Sequence, residues 1–149
     1  MVPRSANYLT DQNGETELFH QTILRYTGSI SDELKLSALG TEAAQLVVDG
    51  QYAALAKLFG YALAYDREPA LALQQDIERS LGELGVSAFA VGAQDVSARV
   101  SCFTPNEAGL LALVEVRLVI TPGKSLLLEL VVTNKGGENH VCIEQISTQ

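Results

Sequence analysis

Few side chains in this sequence are spaced to do chemistry. It has two histidines, His20 and His140, and two cysteines, Cys102 and Cys142. The densest string is His140, Cys142 and Glu144, which alternate along a predicted strand and would share one face. Neighbours on such a face stand about 6.5–7 Å apart, whereas zinc draws its ligands to about 2.0–2.3 Å. A straight strand does not chelate with all three, so the reading is a solvated strand face with no metal and no cofactor.

The second constellation is aromatic. Tyr52, Tyr61 and Tyr65 fall in one segment, with Asp66 adjacent and Asp95 at a later turn. A tyrosine hydroxyl beside a carboxyl can serve acid–base chemistry in an apolar pocket, which makes Tyr61, Tyr65, Asp66 and Asp95 the pocket candidates. The commoner arrangement is a half-buried tyrosine with its hydroxyl at the surface. Arg67 and Glu68 read as charges of a helix-capping region. No GxSxG, P-loop, HExxH, EF-hand loop or GxGxxG occurs, and no catalytic residue is assigned. The glycine-containing stretch 134–139 joins two strands rather than opening a helix, so it is a hairpin turn and not a phosphate cradle.

The elements that must position these groups divide near Gly85. Before it, apolar residues recur at helical spacing; after it, they alternate as in strands. One helix is expected over 15–26, capped by Asn13. A second starts after Ser29 or Ser31 with Asp32 and Glu33 in its first turn. Gly40-Thr41 interrupts its pattern, leaving 42–48 as a continuation or a separate turn. Residues 51–59 are helical, and 61–65 read either as a short strand or as more helix. Glu68-Pro69 starts the clearest helix, since proline suits the first helical position; Ala70, Leu73, Ile77, Leu81 and Leu84 form its stripe. Residues 1–14 form a flexible segment and 15–149 one α+β domain, helical to residue 85 and a sheet beyond it.

The chain has 149 residues, 47% hydrophobic and 19% charged, which excludes a disordered chain. Ten basic and eighteen acidic side chains give a net charge of −8. That argues against nucleic acid or an anionic membrane as partner, since both need a basic patch. Residues 1–85 carry net −6 and residues 86–149 net −2, so the acidity belongs mainly to solvated helix faces. Residues 1–14 show no basic start followed by an apolar run, and Cys102 and Cys142 fit no CxxC spacing. The expected setting is cytoplasmic, with both thiols reduced.

Strands are expected at 96–103, 110–121 and 125–133, followed by a last one that reads Val141-Cys142-Ile143-Glu144. On 110–121 and 125–133 every even position is apolar. A three-residue loop, Pro122 to Lys124, would align those faces, setting Leu118 against Leu128, Val116 against Leu130 and Arg117 against Glu129. The odd face is not that of a solvated sheet either: Leu111, Leu113, Val119, Leu127 and Val131 surround Glu115, Arg117 and Glu129. The helices can cover one face, which makes these five the interface candidates for a second chain; the alternative is a single-chain fold in which a helix crosses that face.

The order of elements, with Asp49-Gly50-Gln51-Tyr52-Ala53-Ala54-Leu55 and Phe59 before the Pro69 helix and the long strands, resembles the cystatin-like cone fold of the nuclear transport factor two superfamily over roughly residues 41–148. The resemblance implies N-terminal helices against a curved antiparallel sheet of four to five strands, and often a sheet-mediated dimer. It carries over no catalytic residue. The functional expectation is a non-enzymatic protein-association domain that forms a homodimer through its sheet. The alternatives are a cone-type pocket protein, binder or enzyme, and an acidic inhibitor or immunity-like protein masking a basic partner.

Overall fold

The computed structural model describes residues 30–87, 89 and 95–149. The helix expected over 15–26, its cap Asn13, His20 and the segment 1–14 lie outside the described residues. Among the described residues, three α-helices precede one four-stranded sheet: α1 (Ile30–Val48), α2 (Tyr52–Phe59) and α3 (Pro69–Glu83), then β1 (Asp95–Cys102), β2 (Leu110–Thr121), β3 (Lys124–Lys135) and β4 (Glu138–Thr148). The sheet is an open antiparallel meander in the order β1-β2-β3-β4. The fold is therefore α+β, and no described helix is long and apolar enough to cross a membrane.

Gly40 does not break α1, which runs through it unbroken. A Cβ at Gly40 would stand 2.7 Å from Val116 Cγ2 and 2.9 Å from Val114 Cγ1. The glycine is there for a close approach to the sheet, so tertiary packing outweighs the roughly 1 kcal/mol that glycine costs inside a helix. α3 begins as its sequence predicts. Glu68 caps it, its carboxylate accepting from the Ala70 and Leu71 amides at 3.0 Å each. At the other end Lys124, from the β2–β3 hairpin, donates to the Leu84 carbonyl at 2.9 Å. That cation sits where the helix dipole favours it and ties the hairpin to the helix.

Residues 61–65 turn out to be neither of the two regular elements expected. Tyr61 forms a single parallel bridge with Ile143 on the edge strand β4, and Ala62–Ala64 then makes one 3₁₀ turn.

The hairpin register differs from the expected one. Thr121 pairs with Lys124 around the two-residue loop Pro122-Gly123, and a bulge between Val119 and Thr121 shifts the ladder by one. Leu118 faces Leu126, Val116 faces Leu128, and Arg117 faces Leu127 rather than Glu129. The alignment of the two even faces is kept, but the bulge achieves it and not a longer loop. The β3–β4 turn has positive φ at Gly136 (61°) and Gly137 (84°), the requirement of a tight two-residue hairpin.

α1 packs on β1 and β2 while α2 and α3 reach β4, and all bury the even face of the sheet. Ala112, Val114, Val116 and Leu118 of β2 and Leu126, Leu128, Leu130 and Val132 of β3 are each fully buried against Leu36, Leu39, Leu55, Phe59, Leu73 and Ile77.

Candidate functional site

Two places gather polar side chains in a way that could matter to function. The first joins α3 to the sheet edge. α3 buries two neighbouring stripes, which include Ala72, Leu73, Ile77, Leu81 and, among them, Asp76 at 4% exposure and Ser80 at 2%. A carboxylate so placed must find partners, and Asp76 accepts four hydrogen bonds from three residues. Its Oδ2 accepts from the Tyr61 hydroxyl at 2.5 Å and from Arg67 Nη2 at 3.1 Å. Its Oδ1 accepts from Arg67 Nη1 at 3.0 Å and Arg79 Nη1 at 2.8 Å. Arg67 also donates to the Leu63 carbonyl at 2.8 Å and the Ala64 carbonyl at 3.3 Å, closing the 3₁₀ turn.

The electrostatics follow from that geometry. Chiefly the Arg67 hydrogen bond, against an opposing desolvation, lowers the Asp76 carboxyl to about 2. Burial, and then the hydrogen bond to Asp76, pushes the Tyr61 hydroxyl well above its usual value. All four acceptor sites of the carboxylate are occupied, so neither Asp76 nor Tyr61 is poised to exchange a proton with a substrate. This is a structural joint between α3 and the β4 edge. Arg67 is thus its centre and more than the capping charge its position next to Glu68 suggests. The signal for it lay in the sequence: an aspartate falls on the buried side of the most regular helix.

The four pocket candidates do not converge. Tyr61 is buried in the joint, Tyr65 is 81% exposed with φ 55°, Asp66 is exposed, and Asp95 is exposed at the start of β1. Among the described residues, no hydrogen bond or ion pair links any two of them. Tyr52 packs half-buried against the core, where burial and Glu78 raise its hydroxyl pKa.

His140, Cys142 and Glu144 do not alternate along one regular ladder. His140 pairs with Thr133 and Cys142 with Val131, but a bulge between Ile143 and Gln145 leaves Glu144 out of the ladder. Burial and Glu144 push the half-buried Cys142 thiol up. Cys102 and Cys142 are not joined in a disulfide. No group of three His, Cys, Asp or Glu side chains among the described residues is placed to hold a metal ion.

The second place is the odd face of the sheet, which no described helix packs against. Leu113, Val119 and Val131 are partly exposed there. Leu111 sits at a bulge and leans on the margin of the core. Leu127 is only 8% exposed and forms the floor of an open recess of about 310 Å³, walled by Ser97, Arg99, Glu115, Arg117 and Gln149. Arg99 spans the recess to Glu115, with Nη2 to Oε1 at 2.6 Å. None of the four pocket candidates lines it. Compared with protein-family models, with curated proteins and with solved structures, the chain matches none.

Proposed function

We propose that this chain is a non-enzymatic protein-association domain that forms a homodimer through the odd face of its sheet. The observation that carries the reading is the contrast in cover: three helices bury the even face, while Leu113, Val119 and Val131 stay partly open on the other. A β-sheet face of that composition gains about 25 cal/mol for each Å² of apolar surface removed from water. Sheet-on-sheet contact is a common way of removing it. The saturated Asp76 joint and the scattered tyrosines and carboxylates support association over catalysis.

Light scattering of the full chain tests this. A dimer mass is expected for the wild type, and a monomer mass for a variant with Leu113→Lys and Val131→Lys, because both lysines would be desolvated at the contact. A wild-type chain that is monomeric at all concentrations sinks the reading.

A further inference from the structure

The odd face carries two charges that have no partner among the described residues. Arg117 on β2 is exposed and stands opposite Leu127. Glu129 on β3 is half-buried and stands opposite Glu115. Like charges directly opposed on a sheet destabilise it. Arg99 neutralises Glu115 and leaves Glu129 as the surplus acid, while Arg117 is the surplus base. Among the described residues, no hydrogen bond or ion pair reaches either one. The two are diagonal neighbours, since Arg117 lies two residues along β2 from the position facing Glu129.

A surface that holds one unpaired charge of each sign, side by side, is complementary to itself under a two-fold rotation. In such an interface residue i meets residue j of the other copy and j meets i. Resting on the association reading above, we propose that the second copy docks with its two-fold axis passing between Arg117 and Glu129, so that each Arg117 guanidinium meets the carboxylate of the partner's Glu129. The contact forms two equivalent ion pairs, flanked on the same face by Leu113 and Val131. It answers the half-buried Glu129 with a cation that the described residues of the single chain do not supply. A small anion held in the Arg99–Arg117 recess would satisfy Arg117 alone and leave Glu129 unanswered.

Charge reversal tests this on the full chain. Arg117→Glu sets acid against acid at both contacts of its homodimer, and Glu129→Arg sets base against base. Each is expected to weaken dimerisation by about a hundredfold or more, because opposed like charges at an interface cost several kcal/mol. Mixing the two variants in equal amounts restores opposite charges at both contacts. Native mass spectrometry should then find the heterodimer in place of either homodimer. Pairing of Arg117 with Glu129 inside one chain would not produce that rescue. Dimers that survive both single reversals overturn this docking geometry and leave the sheet dimer standing, and so does a mixture that stays monomeric. A monomeric wild type removes the association reading itself. Thermal melts report whether each variant folds; if a reversal unfolds the chain, Arg117→Gln and Glu129→Gln take its place, each expected to weaken the dimer by about tenfold, with unchanged affinity for both overturning the pairing.

Discussion

The two faces of the sheet are made by the same strands, one residue out of step, and they have opposite fates. On the even face of β2 and β3 eight apolar side chains are fully buried beneath helices. On the odd face apolar side chains alternate with Glu115, Arg117 and Glu129, and the best-formed ion pair, Arg99–Glu115, has its arginine 77% exposed. Polar groups follow the same division. Asp76, on the covered side, has every acceptor site filled, whereas Arg117 and Glu129 on the open side have no partner among the described residues. Stability therefore belongs mainly to the covered face and its joint, and the open face contributes less to it.

Three substitutions test that division, in order of decreasing effect. Asp76→Ala orphans the buried Tyr61 hydroxyl and frees two arginines, and should cost about 3 kcal/mol in chemical denaturation. The same residue sets an acid limb. Its folded pKa of about 2 lies below its ordinary 3.8, so the stabilisation, about 2 kcal/mol, is present above about pH 4 and lost as pH falls toward about 2. Asp76→Ala should lose that part of the acid limb; an unchanged acid limb would show that other carboxylates govern it.

Next comes Gly40→Ala. Helix propensity alone predicts a gain of roughly 1 kcal/mol, but the added methyl meets Val114 and Val116 below 3.0 Å. Overpacking costs about 1–3 kcal/mol, so the variant should be less stable by about 1 kcal/mol net, with a lower denaturation midpoint. A higher midpoint would mean that α1 yields easily from the sheet. The smallest effect belongs to the open face. Arg99→Ala removes an exposed pair worth about 0.2–1 kcal/mol, and a melting temperature nearly that of the wild type is expected. A loss comparable to that of Asp76→Ala would erase the distinction between the faces.

Much of the architecture was legible because it rests on local patterns. The even-position apolar run on 110–121 coincides with β2, and the Glu68-Pro69 start of α3 is a cap with its hydrogen bonds in place. The readings that failed depended on distant partners. Gly40 looks like a breaker until the valines it lies against are known. Pro122-Gly123 suggests a loop length, yet the register depends on a bulge near Ile120. His140, Cys142 and Glu144 alternate in sequence, but the β4 bulge takes Glu144 out of step. The joint was half legible: Asp76 on the buried side of a helix signalled that a partner was needed, and its contact with Tyr61, fifteen residues earlier, was not visible.

The sequence by itself determined where helices give way to strands and which residues of each strand share a face, because hydrophobic period and capping chemistry act over a few residues. Only the tertiary structure decided which face the helices cover, which carboxylate is saturated and which charges are left over. Those depend on contacts between residues far apart in the chain, where burial sets the cost of an unpaired group.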